Sequence, residues 1–584
     1  MDKRLLKYHL ECLDGLYQYF DEDVGLFYMD YNRPDAYHTK LTSGRVHQYV
    51  SNSDRAVALF DGGREKDIKT ALKVVDAVLD GQCKKEGETF GLWPYFYEES
   101  LEEMDSPDWN MADFNGINLF QILLDYEELL GEERAKRVLK ACHDACRCII
   151  NRDVTIMYTN VTVMDIYLTI TFGERYNKEI FDFGKNKLKC FYHLVMNQKS
   201  FEEHNSPAYS IIVANIFGLM LQHIKDEECL FMINELNSLE WKVISEHYHF
   251  ATGEWTGPQS RAYSQFLDPT RLSFFEKALN FEISLTDEKS FGLMDMRYDV
   301  KCPPEYADLF TDKNRITEKR QLLSRGFNYP WFEPPRLETI YISPEYTLSS
   351  FHLCGGWNQH RPIMSYFGNR KKKYCLRLRV LHDFYDFCSG YTATIQEKAS
   401  ALSVTNFHTN RGDTHNDLDK VKNATISAVD LRIRYQVEAN VDGIIDDVGL
   451  EKSENGCTIS LAGIPVRIGF DFAEFTGYLP HTEISKEGRF LNIDMVLYSG
   501  ERRDINLKSL DSAVCVSHIS IGNDEASPVK VKKEDEFIFA EMNSNGKTLS
   551  EKCIYTPCEF ITSVSKTRQW IDGTELEKSG EKSL

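Results

Sequence analysis

Phe201-Glu-Glu-His-Asn-Ser-Pro-Ala-Tyr209 leads into an apolar run in which Ile211, Ile212, Ala214, Asn215, Phe217, Gly218, Leu219 and Leu221 recur with mostly helical spacing. Ser206 and Pro207 suit an N-cap and first helical position, because proline there forfeits only an N–H that has no helical partner anyway. The spacing predicts a buried helix over 207–223, with His204, Asn205 and Tyr209 crowded at its mouth. Free backbone N–H groups and the helix dipole favour an anion at such a place. A ring, an amide and a phenol there suit a functional site. The plainer alternative is a helix cap with a buried, hydrogen-bonded tyrosine.

Outward from this segment the helical period fills the first half. Amphipathic runs occupy 3–19, 46–61, 66–80, 112–130, 132–150, 158–173, 176–196, 227–244 and 269–279, separated by turn signals such as Gly62-Gly63, Gly131 and Gly173. No fixed-length repeat marks a solenoid, so antiparallel hairpins with short connections predict an (α/α) toroid over 1–302. The stretch 303–335, rich in Pro, Arg and aromatic residues, reads as an interdomain crossover. Beyond it the period falls to two. Thr339–Ile342, Tyr374–Val380, Ala393–Gln396, Ile433–Val437, Val466–Phe470 and Phe537–Ala540 alternate as half-buried strands, and Gly pairs at Asn455, Asp442 and Asn545 signal hairpins. The expected fold is α+β and multidomain: a helical toroid, then an antiparallel β-sandwich of about a dozen strands over 336–584.

A chain of 584 residues exceeds one core, and 42% hydrophobic with 27% charged residues is ordinary for a globular protein. A formal charge of −22 argues against nucleic acid or an anionic membrane as partner. No window is long and apolar enough to span a bilayer, and Met1-Asp-Lys-Arg-Leu-Leu-Lys opens without a signal core. Fifteen scattered cysteines suit a reducing cytoplasm. Cys142, His143, Cys146 and Cys148 share one predicted helix in which only 142 and 146 share a face, so they read as core thiols rather than metal ligands. Asp413–Asp419 lacks the Gly and terminal Glu of an EF-hand loop, and Arg411-Gly-Asp413 reads as an exposed turn. No metal or other cofactor is expected. A homo-oligomer is compatible with the sequence, which does not set its order.

Five polar-aromatic segments stand out. Trp93-Pro-Tyr95 opens an aromatic loop that continues through Trp109 to Asp113 and Asn115. Tyr158-Thr-Asn160 begins a helix; His204-Asn205 and Tyr209 follow; Gly257-Pro-Gln-Ser-Arg261-Ala-Tyr263 forms a turn. His352-Leu-Cys-Gly-Gly-Trp357-Asn358-Gln-His360-Arg361 lies in the strand half. Each has a dull explanation, such as Arg261 clamping a carboxylate or Trp357 filling an interface. Five such segments at helix or strand ends, all built from Asn, His, Tyr and Arg, read together as a site rather than as packing.

A Glu-X-Ser-Pro-X-Tyr-like segment opening an apolar helix, in a toroid followed by a sandwich, resembles the heparinase II/III and alginate lyase group of polysaccharide lyases. The layout spans nearly the whole chain, the local motif only a handful of residues. The resemblance implies Tyr209 as proton donor or base, Asn160 as the amide that neutralises a substrate carboxylate, and His360 or His352 as the sandwich histidine. Such chemistry removes a uronate C5 proton, so amide, imidazole or guanidinium donors must stabilise the resulting enediolate. Tyr209 needs a nearby cation to act as base, and Arg261 is the candidate. The account requires Tyr209, Asn160, Arg261 and the 352–361 loop to converge. The acidic run Glu98–Asp108 weighs against a polyanion. Glycoside hydrolysis, for example by a uronidase, is the alternative, with Asp113 and Glu203 or Glu254 as the carboxyl pair. A non-catalytic glycan-binding protein is a third reading.

Overall fold

The helical period of the first half forms helices whose bounds fall close to those expected. They are α1 (Leu6–Leu16), α2 (Tyr49–Gly62), α3 (Glu65–Gly81), α4 (Met111–Leu130), α5 (Glu132–Arg152), α6 (Thr159–Tyr176), α7 (Lys178–Gln198), α8 (Tyr209–His223), α9 (Glu227–His247) and α10 (Pro269–Ala278). This computed structural model describes residues 3–33, 37–324, 326–328, 332–411, 421–523 and 526–576. Asp413–Asp419, considered above for calcium, lies outside the described residues. No helix among the described residues is long and apolar enough to cross a membrane.

The chain forms two compact units interleaved in sequence. The first comprises Met1–Asn197, Tyr209–Trp241 and Asp268–Pro303; the second comprises Gln198–Ala208, Lys242–Leu267 and Pro304–Leu584. Two stretches of the helical half, including His204 and Arg261, therefore belong to the strand unit.

In the first unit α6 is buried continuously from Thr159 to Gly173, as an inner helix enclosed on all sides must be. Its neighbour α5 buries one stripe, including Val138, Ala141, Cys142, Ala145 and Ile149, and exposes the rest. Contacts fix the direction of the inner helices. Asn118 of α4 donates to Asp54 of α2 at 2.6 Å, and further along Phe60 stacks on Tyr126 at 5.1 Å. A Cβ on Gly116 would meet Leu168 of α6, and Phe120 packs on Phe172 at 5.6 Å. Near the far ends Arg175 of α6 donates to the His223 carbonyl of α8 at 3.1 Å. Helices α2, α4, α6 and α8 thus run parallel, with α3, α5 and α7 returning between them. The starts of the inner helices share one end of the unit, and Asn160 and Tyr209 are among them.

In the second unit the two-residue period builds a nine-stranded sheet. Its order is His481–Glu487, Phe490–Asn506, Thr425–Ala439, Lys373–His382, Ile363–Gly368, Thr347–Phe351, Arg336–Ile342 and Thr317–Ser324, with Tyr385–Asp386 paired beside Lys373–His382. A seven-stranded antiparallel sheet packs on it, and Leu376, Leu378, Ile433, Tyr435, Ile468 and Ile519 share the core between the two. Each such side chain, fully buried, contributes about 1.5–3 kcal/mol. A third sheet, of five strands from Lys530 to Glu575, covers the other face of the seven-stranded one through Ile538, Ala540 and Leu549 against Leu402 and Val404. The expected sandwich is present, with this extra layer.

Two local expectations are corrected. Asn455-Gly456 and Asn545-Gly546 do turn hairpins, but Asp442-Gly443 lies in a crossover between sheets, because Thr425–Ala439 and Gly449–Ser453 pair with different strands. Ser206 does not cap α8, which starts at Tyr209; the Ser206 hydroxyl donates to the Arg261 carbonyl at 2.5 Å instead.

Because register pairs Ile340 with Ser349, Ser349 with Met364, Met364 with Arg377, and Arg377 with Gln436, these residues share one face of the nine-stranded sheet. Glu338, Tyr366, Arg379 and Arg434 follow by alternation. This is the face opposite the sandwich core.

Candidate functional site

In the first unit the loop before α4 adjoins the starts of the inner helices, since Tyr49 N–H donates to the Tyr95 carbonyl at 3.3 Å and Met111 N–H to the Asp108 carbonyl at 3.1 Å. Tyr95 meets Phe96 edge-on at 4.8 Å and stacks near His38 at 6.4 Å, an aromatic surface suited to a sugar face. Trp109 is half-buried. Trp93 is fully buried and its Nε1 donates to the Val78 carbonyl at 2.7 Å; Asn115, also buried, donates to the Met111 carbonyl at 3.0 Å. Those two are packing residues. Asn160 is buried in the first turn of α6, and Tyr209 is half-buried at the first residue of α8.

Asp113 is fully buried beside Asp165, whose carboxylate Lys187 holds at 2.6 Å. Burial first, then the Asp165 charge, raises the Asp113 pKa well above the ordinary carboxylate value. The acidic loop is also partly committed. Glu98 pairs with His47, and Glu99 accepts from Thr39 Oγ1 at 2.6 Å and Lys40 N–H at 2.8 Å.

In the second unit the segment 257–267 lies along the 352–361 loop. Ala262 N–H donates to the Gln359 carbonyl at 2.9 Å, and Arg361 N–H to the Gln259 carbonyl at 2.9 Å. Arg261 is held at three points: Glu203 Oε1 at 2.6 Å, Gln359 Oε1 at 2.9 Å, and the Trp357 ring at 5.5 Å. Asn205, in the left-handed region at φ 46°, donates to the carbonyls of Thr256 at 2.9 Å and Pro258 at 2.6 Å, tying its turn to this segment. Tyr263 is 59% exposed.

Behind the loop three guanidinium groups gather. Arg361 Nε and Arg377 donate to the same Gln265 Oε1, at 3.1 and 3.0 Å, while Arg377 and Arg379 share Gln436 Oε1 at 2.8 and 3.2 Å. Among the described residues Asp386, bonded to Arg379 at 2.6 Å, is the one carboxylate paired with the three. Burial, reinforced by Arg361 and Arg379, pushes the Arg377 pKa down to about 9. A small cavity lined by Trp357, His360, Arg379 and Asp386 opens beside the cluster. His360 Nδ1 donates to the Gly355 carbonyl at 2.8 Å, which leaves Nε2 as the lone-pair nitrogen. Asn358 donates to Tyr385 Oη at 2.7 Å. His352 is buried in the sheet, its Nδ1 accepting from Leu337 N–H at 2.9 Å, so His360 is the better placed of the two histidines. Glu254 is also committed: it is fully buried, accepts from Leu267 N–H at 2.8 Å, and pairs with Lys373.

His204 does not face solvent. With His247, at the end of α9, it converges on Glu338, and all three side chains are buried. Their ligand atoms lie within 4.8 Å of one another, close enough to hold a metal ion.

Sequence reasoning missed His247, Glu338, Arg377, Arg379 and Gln265. Arg377 and Arg379 do carry a signal: two cations at a period of two in Tyr374–Val380, alternating with Leu376, Leu378 and Val380. His247 and Glu338 carry none, because their partners lie far away in sequence.

Residues 3–274 match a family model described as "Domain of unknown function (DUF8769)". No curated protein matches the chain. Among solved structures the chain is similar to heparinase III, with a TM-score of 0.46 and 12% identity over 87% of this chain and 82% of that one. It is also similar to a sugar epimerase from a ruminal bacterium, with a TM-score of 0.35 and 12% identity over 52% of this chain and 97% of that one. At this identity the likeness concerns the course of the chain.

Proposed function

We propose that the protein is a carbohydrate-active enzyme that cleaves a uronate-containing oligosaccharide by β-elimination. The observation that carries this reading is the surplus of guanidinium charge behind Trp357 and His360, where Arg361, Arg377 and Arg379 meet one carboxylate, Asp386. A cationic wall beside an indole suits a sugar that carries its own carboxylate: the ring face stacks on Trp357 and the anion offsets the arginines.

The chemistry needs a base for the C5 proton, charge neutralisation at the carboxylate, and an acid for the departing oxygen. The C5–H electrons form the C4–C5 double bond as the C4–O bond breaks, and the leaving oxygen takes up a proton. His360, its ring oriented by the Nδ1 bond to Gly355, is assigned as the base, and Tyr209 is the phenol assigned to proton transfer. Asn160 and Arg261 are assigned to the carboxylate, and Tyr263, Trp357 and Asn358 to sugar contacts. Elimination is preferred to hydrolysis because the carboxyl groups named for hydrolysis are occupied. Asp113 is fully buried, Glu203 is paired with Arg261, and Glu254 with Lys373.

The test compares uronate oligosaccharides with their carboxyl-reduced counterparts. Cleavage of the acidic set alone, with new ultraviolet absorbance from the C4–C5 double bond, supports the reading. Equal cleavage of the reduced set refutes it.

A further inference from the structure

Lone pairs decide what the His204–His247–Glu338 cluster can hold. The Ser200 hydroxyl donates to the Phe201 carbonyl at 3.1 Å and therefore accepts from His204 Nδ1–H at 2.9 Å. The Val243 carbonyl only accepts, so His247 Nδ1, at 2.7 Å, is its donor. The second nitrogen of each ring, Nε2, is therefore the one turned toward Glu338 Oε2, at 2.8 and 3.2 Å. Two imidazole nitrogens and a carboxylate oxygen thus converge in one fully buried place.

The nearest ammonium, Lys319 Nζ, stands 3.6 Å from the other Glu338 oxygen and is paired with Glu246 at 2.7 Å. The outer bonds to Ser200 and Val243 are those that orient metal-binding imidazoles and fix their tautomers.

We propose that His204 Nε2, His247 Nε2 and the Glu338 carboxylate bind a divalent transition-metal ion of the zinc class. Two imidazoles and a carboxylate are a known zinc donor set, with bonds of about 2.0–2.2 Å. Tetrahedral ligands at that length stand about 3.3–3.6 Å apart. The separations of 2.8 and 3.2 Å therefore need to widen by about 0.5–0.8 and about 0.1–0.4 Å. The ligands come from the 201–206 turn, the end of α9 and the strand Arg336–Ile342, so the ion would pin three separate stretches of the second unit together. This departs from the metal-free expectation of the sequence, and does not depend on the proposed reaction.

The test uses the full chain. Purified protein dialysed against metal-free buffer is assayed for bound metals by mass spectrometry, then stripped with a chelator and reconstituted with Co²⁺. Expected are about one zinc ion per chain, the visible d–d bands of four-coordinate Co²⁺, and loss of both in Glu338→Gln and His247→Gln. Because a variant at a buried ligand can unfold the chain, Ser200→Ala forms a second arm. It keeps all three ligands, releases His204 Nδ1, and should weaken Co²⁺ affinity about 10–100-fold while the bands persist. Wild-type protein that holds no stoichiometric metal and shows no Co²⁺ bands overturns the proposal. So does binding that survives in the folded Glu338→Gln and His247→Gln variants.

Discussion

Replacing Arg261 by alanine should destabilise the second unit far beyond what a side chain at its edge implies. The guanidinium is 17% exposed, but its partner Glu203 is 7% exposed and remains buried when the arginine is gone. Stranding one charge of a buried pair costs about 3–5 kcal/mol, and the partial exposure of Arg261 places it at the lower end. The lost Gln359 hydrogen bond adds about 1 kcal/mol, and the lost Trp357 ring contact about 0.5–1 kcal/mol. The expected cost of Arg261→Ala is therefore about 5 kcal/mol. Adding Glu203→Gln removes the stranded carboxylate and should return about 2 kcal/mol, a coupling a double-mutant cycle isolates. For a unit of this size 1 kcal/mol moves the melting temperature by about 1–2 °C, so the single variant should melt about 5–10 °C lower and the double variant about 2–4 °C above the single. Scanning calorimetry of the three variants and wild type reads this directly. Additive losses, with the double variant below both singles, would refute a pair held by mutual burial.

Three other perturbations separate chemistry from packing. Tyr209→Phe should lower turnover about 10²–10⁴-fold while the melting temperature holds, and near-normal turnover would remove Tyr209 from the mechanism. Asp113→Asn should leave the reaction intact; an inactive, folded variant would favour hydrolysis. The same variant tests linkage. The raised Asp113 pKa means the unfolded chain loses this proton first, so wild-type stability falls as pH climbs above the usual carboxylate range, and the variant should lack that slope. Buried His249 has its pKa pushed down to about 4, so between about 4 and 6.5 the unfolded chain binds a proton that the folded chain does not. Stability is lost as pH falls through that window, by about 3 kcal/mol in all, and melting curves of His249→Gln from pH 7 to 4 should show a shallower acid loss.

The architecture was legible because periodicity reports burial directly. The runs at 112–130, 158–173 and 207–223 became inner helices, and the alternation in Tyr374–Val380 became a strand with leucines on the core face. The third sheet escaped notice because strands of similar alternation do not reveal which sheet they join. Of the site residues, sequence could mark His204, Arg261 and His360 as unusual but not their partners. His204 looked like part of a helix mouth, whereas its ring turns toward Glu338, a strand residue far along the chain. Trp93 illustrates the opposite failure: an aromatic beside tyrosines reads as a platform, yet its indole N–H is spent on Val78 inside the helical unit.

The most direct measurement is the mass of the fragments released from a defined uronate oligosaccharide. Elimination predicts fragments whose masses sum to that of the starting sugar, with one end unsaturated. Fragments that together gain one water would contradict the account, as would an intact oligosaccharide after prolonged incubation with folded enzyme.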